Sequence, residues 1–384
     1  MDLATQLMLE AFGGGPNEWP YTPEEWEARA RDSIPAPNFD YIAGGAGSEE
    51  TIRANREAFY RWRLRPRMLT GPVDRDLSVE VLGLKSPAPF FLAPVGVQSI
   101  AHPDRELATA RAARATGLPM LLSTAAQYPL EKVADELGAG HPKWYQLYWV
   151  NNRKVTASFV RRAEAAGYTA IVVTLDTLRL AWRDRDLRHG YLPFLSGEGI
   201  GQYTSDPVFR ELYPEQVDNP AEAGPLSLML FTNLGLKWDD FAWLRDQTAL
   251  PLLVKGVLRG EDAVRAREIG IDGVVVSNHG GRQVDGAVAA LDALVEVRAA
   301  VGAGYPLLFD SGIRRGADVL KAMALGADAV LIGRPYVYGL AVGGQAGVER
   351  VIKQLWAEVD SALSLLGAHS TRELDRSWVV EAPR

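Results

Sequence analysis

The chain lacks cysteine and any long apolar run, and each absence excludes a class of protein. Without cysteine it has no disulfide, no thiolate metal ligand and no cysteine nucleophile. No apolar run reaches the roughly 18 residues needed to cross a bilayer. The N-terminus has no positive charge before Arg29 and no signal-peptide pattern. We therefore expect a cytoplasmic protein without a membrane segment.

The chain also lacks an excess of positive charge, since 48 Asp and Glu residues face 41 Lys and Arg residues. Proteins that bind nucleic acids or anionic membranes usually carry a basic surface. We therefore expect neither nucleic acid nor membrane among its partners.

From Pro89 onwards, apolar strand-like runs alternate with amphipathic helical patterns about every 25 to 30 residues. The runs are continuously apolar, as expected of parallel strands buried on both faces. Eight such units predict an α/β fold, a (β/α)₈ TIM barrel. The runs are Phe90–Gly96, Met120–Ala125, Trp144–Val150, Ala170–Asp176, Pro251–Gly256, Gly273–Ser277, Leu307–Asp310 and Ala329–Gly333.

We predict one domain over residues 1–384. Its three parts are an N-terminal arm with helices (1–88), the barrel (89–340) and C-terminal helices (341–384). Thr22-Pro23-Glu24-Glu25 predicts the start of an early helix, with Thr22 as its N-cap.

A long insertion is predicted after the fourth strand, because about 75 residues separate two strands that about 20 would connect. Residues 178–248 are expected to form a lid over the catalytic face. The apolar stretch Leu226–Phe231 within it suits core or lid packing; membrane contact is the alternative.

Polar side chains stand at nearly every predicted strand end. In a barrel these ends meet on the face where chemistry occurs, and so many independent coincidences in one ring are improbable. The ends are Pro94-Val95-Gly96, Ser123-Thr124, Gln146-Leu147-Tyr148, Thr174-Leu175-Asp176, Lys255-Gly256, Ser277-Asn278-His279, Asp310-Ser311-Gly312 and Gly333-Arg334.

The loop after the sixth predicted strand indicates particular chemistry. His279 is a candidate base that titrates near neutral pH, and Arg282 offers a planar fork that matches a carboxylate. A core histidine bonded to backbone is the alternative for His279. Because it is the one histidine at a strand end, the sequence does not predict a metal hydrolase.

The last two strand ends resemble a phosphate site, because Gly312 is followed by Arg314 and Arg315, and Gly333 by Arg334. Lys255 brings a positive charge to the fifth strand end. It is predicted either to pair with Asp310 or Asp176, or to stabilise a group that acquires negative charge.

Together these motifs resemble the FMN-dependent family that oxidises 2-hydroxy acids, over about Pro35 to Ser377. That family includes glycolate oxidase, lactate oxidase, lactate 2-monooxygenase and mandelate dehydrogenase. The resemblance is closest to lactate 2-monooxygenase because of WRDRDL (182–187), YTSDPVF (203–209) and FDSGIR (309–314). The family motifs are SNHGGRQ (277–283), QLY (146–148), TLDT (174–177) followed by Trp182-Arg183, LVKG (253–256), FDSGIRRG (309–316) and LIGRP (331–335).

The resemblance implies FMN as cofactor and a role for each polar strand end. His279 would take a proton from the substrate, and Asp176 would stabilise the imidazolium. Tyr148 would bond the reacting oxygen, and Arg282 would join these catalytic residues. Substrate-binding residues would be Tyr41, Tyr148, Arg183 and Arg282. Cofactor-binding residues would be Val95, Gly96, Ser123, Gln146, Thr174, Lys255, Ser277, Asp310, Gly312, Arg314, Gly333 and Arg334; no metal is implied.

The implied reaction is oxidation of a lactate-like L-2-hydroxy acid by O₂. The long insertion, and Gly96 where the family's oxidases usually have Ala, favour lactate 2-monooxygenase, which gives acetate, CO₂ and water. The alternative is an oxidase that releases the keto acid and H₂O₂. A quinone-linked dehydrogenase and a redox-inactive flavin-binding barrel are further alternatives.

Two further expectations concern the size of the substrate and the oligomeric state. Ala125 stands where the family often has Trp or Leu, which predicts room for longer aliphatic or aromatic 2-hydroxy acids. Family resemblance implies a homotetramer or homo-octamer.

Overall fold

The centre of the protein is a closed barrel of eight parallel strands, seen in a computed structural model that describes residues 3–13 and 18–382. Each strand pairs with the next one along the chain, and the last pairs with the first, which confirms the predicted (β/α)₈ barrel. The barrel strands are β4 (Phe90–Leu92), β5 (Met120–Ser123), β6 (Lys143–Leu147), β7 (Ile171–Thr174), β8 (Leu252–Val257), β9 (Gly273–Val276), β10 (Leu307–Phe309) and β11 (Ala329–Ile332).

The barrel strands are short and almost wholly buried. Val274, Val275 and Val276 are fully buried, as are the three residues of β10. β-branched and large apolar side chains suit strands packed between a filled interior and an outer helical layer. Most predicted runs continue past the strand end, because their last polar residues belong to the loops of the catalytic face.

The outer layer of the barrel contains six helices that connect successive strands. These helices are α5 (Arg105–Thr116), α6 (Leu130–Leu137), α7 (Arg153–Ala165), α13 (Gly260–Glu268), α14 (Ala290–Val301) and α15 (Gly316–Ala324). Short 3₁₀ turns lie at Gln98–Ile100 and His279–Gly281.

Segments from both ends of the chain pair with each other outside the barrel. In the N-terminal part, Glu25 N donates to Thr22 Oγ1 (3.1 Å) and Thr22 N to Glu25 Oε2 (3.0 Å), so the predicted cap is confirmed. Strand β1 (Trp62–Leu64) pairs antiparallel with β12 (Val379–Glu381), and β2 (Val79–Val81) pairs with β3 (Leu84–Ser86). The helices here are α1 (Leu3–Phe12), α2 (Pro23–Ser33), α3 (Ala36–Ala43) and α4 (Glu50–Tyr60).

The last helix, α16 (Arg334–Leu366), begins directly after β11. The predicted division between residues 340 and 341 falls inside α16, close to non-helical backbone at Gly343 and Gly344. Two 3₁₀ turns, Thr371–Glu373 and Arg376–Trp378, follow it.

The insertion between β7 and β8 folds over the carboxyl ends of the strands, and we call residues 178–248 the roof. Residues 226–231 form the end of helix α11 (Pro220–Phe231), in which Ser227 and Leu230 are buried. Within the described residues, no helix is both long and apolar enough to span a membrane. The roof contains α8 (Asp184–His189), the 3₁₀ turn Pro193–Ser196, α9 (Gly201–Thr204), α10 (Pro207–Leu212), α11 (Pro220–Phe231) and α12 (Asp240–Arg245).

Glycines bring the roof against the loop that follows β5. A Cβ at Gly199 would lie 3.0 Å from Ala125 O and 3.1 Å from a ring carbon of Phe194. At Gly201 a Cβ would overlap Gln127 O. Backbone therefore packs directly on backbone at this contact, and no side chain fits between the two segments.

Candidate active site

A cavity of about 1130 Å³, including its open mouth, lies between the strand ends and the roof. Thirteen of the predicted site residues line it: Tyr41, Val95, Gly96, Tyr148, Arg183, Lys255, His279, Arg282, Asp310, Gly312, Arg314, Gly333 and Arg334. The other five, Ser123, Gln146, Thr174, Asp176 and Ser277, stand at or beside the same strand ends without lining the cavity. The site thus collects residues from the carboxyl ends of all eight barrel strands or from the loops that follow them.

His279 is held by a short hydrogen-bond network at the end of β9. Its Nδ1 lies 2.9 Å from Asp176 Oδ1 and 3.0 Å from Thr177 Oγ1. Thr177 Oγ1 also donates to Asp176 Oδ1 (2.7 Å). The backbone of His279 has φ 57°, an uncommon left-handed conformation for a residue other than glycine. The network fixes the imidazole in one orientation.

The His279 and Asp176 pair is set for a neutral imidazole beside a carboxylate. Burial lowers the pKa of His279 below its ordinary value, although Asp176 opposes this shift. Burial raises the pKa of Asp176, but attraction to His279 and Lys255 outweighs it, so that pKa lies below its ordinary value. With Nδ1–H directed at Asp176, the Nε2 lone pair is the one that accepts a proton.

Lys255 forms a buried ion pair, one of the two alternatives that the sequence left open. Its Nζ lies 3.0 Å from Asp310 Oδ2 and donates to Ser277 Oγ (2.9 Å). Burial lowers the pKa of Lys255, but Asp310 and Asp176 raise it above the ordinary value. Lys255 is therefore a permanent cation on the cavity wall, available to a ligand that carries negative charge.

Two arginines meet above the ring of Tyr41. The guanidinium carbons of Arg282 and Arg183 lie 4.9 Å and 5.8 Å from the ring centroid. Burial and repulsion by Arg183 lower the pKa of Arg282 to about 9. Asp186 Oδ2 lies 3.5 Å from Arg183 and balances one of the two charges. An anionic ligand would relieve the remaining repulsion, as the predicted carboxylate clamp requires.

Arg282 and Arg334 also hold the N-terminal part of the chain in place. Arg282 Nη1 donates to Tyr41 O (2.6 Å) and Gly44 O (2.9 Å). Arg334 donates to Ile42 O (3.1 Å), Gly280 O (2.8 Å) and Gly44 O (2.8 Å). These bonds hold the end of α3, which contains Tyr41, in the cavity wall.

At the predicted phosphate end of the cavity, Arg314 forms fewer hydrogen bonds to backbone carbonyls than Arg282 and Arg334 do. Arg314 donates through Nη1 to Ile313 O (2.9 Å) and lines the cavity beside Gly312 and Gly333. Its neighbour Arg315 turns away to Glu358 (2.7 Å). The phosphate role of Arg314 and Arg334 stays a prediction.

Beneath the cavity, Gln146 has a buried donor that needs an acceptor. Its Oε1 accepts from Ser123 Oγ (2.9 Å), but within the described residues its Nε2 donates to no partner. Buried N–H groups are rarely left unpaired. A ligand with carbonyl acceptors at this strand end would satisfy it.

Several residues of the site were not predicted from the sequence. Thr177 belongs to the TLDT motif, whose last residue received no role. Ser311 Oγ accepts from Gly280 N (3.0 Å) and donates to Asp310 Oδ1 (2.8 Å), which joins two strand ends. Phe194 and Phe231 reach the cavity from the roof, and no motif marked them. Within the described part of the chain, no group of three or more His, Asp or Glu side chains is arranged for a metal.

Comparison with known proteins gives a consistent result. Residues 30–381 match a family model described as FMN-dependent dehydrogenase. The chain is 43% identical over 348 residues to an L-lactate oxidase of Lysinibacillus sphaericus, covering 91% of this chain and 89% of that protein. It is 41% identical over 358 residues to a glycolate oxidase of Spinacia oleracea, covering 92% and 94%.

The same similarity holds in three dimensions. A crystal structure of a mandelate oxidase superposes with a TM-score of 0.81 at 39% identity, over 93% of this chain and 97% of that one.

Proposed function

Since the chain belongs to the family of FMN-dependent 2-hydroxy-acid dehydrogenases and oxidases, we propose that it is an oxidase. It converts an L-2-hydroxy acid and O₂ into the 2-keto acid and H₂O₂. Membership makes the protein an FMN-dependent 2-hydroxy-acid oxidoreductase. The observation that carries the proposal is that His279, Arg183 and Arg282 converge on one cavity.

The relatives favour the oxidase alternative over the expected lactate 2-monooxygenase, since they are named as oxidases. The structure also gives Gly96 a packing role. A Cβ at Gly96 would lie 2.5 Å from Ala125 Cβ and 3.0 Å from Ala125 O. Glycine is therefore needed at position 96 because the loops after β4 and β5 approach so closely there. The presence of Gly96 is then explained by packing and does not favour retention of the keto acid.

The residues present fit FMN. The unpaired Gln146 Nε2 suits a carbonyl of the flavin ring, and the cation Lys255 suits its electron-rich edge. Bound there, FMN would supply the acceptor for the two electrons of the hydroxy acid and the donor of electrons to O₂. Val95, Gly96, Ser123, Thr174 and Ser277 are proposed to complete the ring site, and Asp310, Gly312, Arg314, Gly333 and Arg334 the ribityl and phosphate site.

This chain's own groups hold the substrate and move its proton. Arg282 and Arg183, beside Tyr41, bind the carboxylate and so fix which face of the α-carbon is presented. Tyr148 bonds the reacting oxygen. His279 Nε2 takes the substrate proton, and Asp176 stabilises the imidazolium that results.

One experiment tests cofactor, substrate class and outcome together. The holoenzyme is mixed anaerobically with L-lactate, L-2-hydroxybutyrate or (S)-mandelate while the flavin absorbance is followed, and O₂ is then admitted. We expect bleaching, followed by keto acid and H₂O₂ in equal amounts.

Each other result overturns the proposal in a distinct way. From L-lactate, acetate and CO₂ would indicate the monooxygenase. Bleaching without O₂ consumption would indicate a dehydrogenase that uses a quinone or similar acceptor. No bleaching with any 2-hydroxy acid would indicate a redox-inactive flavin-binding barrel. The homotetramer or homo-octamer stays a prediction, to be checked by the molar mass in solution.

A further inference from the structure

The loop that contains His279 has an uncommon backbone. His279, Gly280 and Gly281 have φ values of 57°, 65° and 78°, so three successive residues are left-handed. Regular helices and strands do not have this conformation. The N–H groups of such a loop therefore need acceptors from outside it, because a buried N–H group is rarely left without a partner.

Serine hydroxyls accept from three successive N–H groups of this loop. Asn278 N and Gly280 N both donate to Ser311 Oγ (3.3 and 3.0 Å), and His279 N donates to Ser277 Oγ (2.9 Å). Asn278 and Ser311 are 5% and 7% exposed, so water has little access to these bonds. The two hydroxyls thus hold the backbone of the base and of the residues on either side of it.

The hydroxyl of Ser311 uses its whole bonding capacity. A serine hydroxyl has one donor and two acceptor positions. The Ser311 O–H donates to Asp310 Oδ1 (2.8 Å), which leaves both lone pairs for the two N–H groups. Asp310 Oδ2 pairs with Lys255 Nζ (3.0 Å), and Lys255 donates to Ser277 Oγ (2.9 Å). These contacts form a closed ring that joins the cation of the cavity wall to the backbone around His279.

Ser311 has a backbone conformation that favours glycine. Its φ is 85°, and a residue other than glycine is strained there. At the next position glycine is explained by packing, because a Cβ at Gly312 would lie 3.0 Å from Asn55 O. Strain that the surrounding structure maintains indicates a functional position. What serine supplies at 311, and glycine would not, is the hydroxyl.

The imidazole of His279 is held separately from its backbone. Asp176 Oδ1 and Thr177 Oγ1 lie 2.9 and 3.0 Å from Nδ1 and fix the rotation of the ring. Ser311 and Ser277 fix the backbone from which the ring projects. The position of Nε2, the atom that accepts the proton, depends on both sets of contacts.

We propose that Ser311 is a positioning residue for the base. Its hydroxyl holds the backbone on both sides of His279 and ties it to the ion pair of Asp310 and Lys255, so that Nε2 stays within reach of the substrate proton. This inference rests on the proposed function and adds a residue to its machinery.

The first test measures the loop without turnover. In Ser311→Gly the backbone at 311 is free of strain, but the N–H groups of Asn278 and Gly280 lose their acceptor. Hydrogen–deuterium exchange of the holoenzyme, followed by mass spectrometry of peptides that contain residues 277–283, should be about 2- to 10-fold faster at these amides, the contribution of one hydrogen bond.

The second test measures flavin reduction by L-lactate in anaerobic stopped-flow experiments. The limiting rate in Ser311→Gly should fall by about 10-fold, since a displacement of about 1 Å at a reacting group costs up to about 10²-fold. The Kd of L-lactate, obtained from the concentration dependence, should change by less than about 2-fold, because both arginines of the carboxylate clamp are retained. A merely structural role would weaken binding and reduction together.

Two variants separate the hydroxyl from the backbone. Ser311→Ala lacks the hydroxyl but keeps a side chain at the strained position, and it should exchange faster and reduce more slowly as Ser311→Gly does. Leu69 is also left-handed (φ 60°) and is fully exposed. Leu69→Gly should therefore change neither measurement.

Four results would overturn the inference. These are unchanged exchange at Asn278 and Gly280, faster exchange with an unchanged limiting rate, a slower rate in Ser311→Gly that Ser311→Ala does not share, and a higher Kd of FMN with unchanged exchange, which would make Ser311 a cofactor ligand instead. If no 2-hydroxy acid reduces the flavin, the proposed function fails, and the exchange of the two amides alone upholds or overturns the role of Ser311 in holding His279.

Discussion

The cavity has a floor and a roof of different character. The floor, formed by the barrel strand ends, contains charged residues in fixed pairs, such as His279 with Asp176 and Lys255 with Asp310. The roof contributes the rings of Phe194 and Phe231; Arg183 is its main charged group there. We infer that the floor performs the chemistry and that the roof selects which hydroxy acid is bound.

The largest expected effect comes from removing the base in the floor. His279→Gln should retain FMN, since the residue is not among the proposed FMN ligands, but flavin reduction should slow by about 10² to 10⁴. Anaerobic stopped-flow measures this directly. His141→Gln is the control, because that histidine does not line the cavity. Near-normal reduction in His279→Gln would mean that the base lies elsewhere.

The next effect comes from the carboxylate clamp. Arg282→Met should weaken binding of carboxylates and sulfite by about 10- to 100-fold, since a hydrogen bond to a charged group is lost along with the charge. Titration of the flavin absorbance gives the Kd values. Arg185→Met is the matched control, because Arg185 pairs with Asp40 (3.1 Å) and lies outside the cavity. Equal weakening in both variants would contradict a specific clamp.

A change in the roof should alter selection without touching proton transfer. Phe231→Ala should change the ratio of kcat/KM between (S)-mandelate and L-lactate by about 10-fold. Leu212→Ala, at a partly exposed roof position, should not change the ratio. If Phe231→Ala slowed reduction of every substrate as strongly as His279→Gln does, the division between floor and roof would be wrong.

The smallest expected effect concerns the pH at which kcat/KM falls on the acid side of its pH profile. The base must be neutral to accept a proton, so kcat/KM falls as the pH falls through the pKa of His279. Burial holds that pKa below its ordinary value of 6.5, so the midpoint should lie below pH 6.5. Phe231→Ala should leave the midpoint unchanged, whereas Asp176→Asn should lower it, because Asp176 favours the imidazolium. A midpoint above 6.5 in the wild type would contradict this assignment.

The difference between floor and roof also explains which parts of the structure could be predicted from the sequence. The barrel was predictable because parallel buried strands repeat a simple apolar pattern. The floor was predictable because its polar residues follow those strands directly in the sequence. The contribution of Phe194 was not, since it lies in a short 3₁₀ turn whose packing depends on the whole fold. For Phe231 the sequence predicted core or lid packing but not its contact with the cavity. Arg334 shows a different limit: its position was predicted, but two of the three backbone carbonyls that it bonds, those of Ile42 and Gly44, belong to the N-terminal segment, far away along the chain.

The contact of Gly199 and Gly201 with the loop after β5 has a consequence for the evolution of substrate range. A random library across residues 178–248 would lose most members that carry a side chain at either glycine. New specificities are more accessible through Phe194 and Phe231, which line the cavity and whose side-chain volume can change without moving the backbone. We therefore expect this enzyme to diversify by exchange of the roof side chains that line the cavity, while Gly199 and Gly201 stay unchanged.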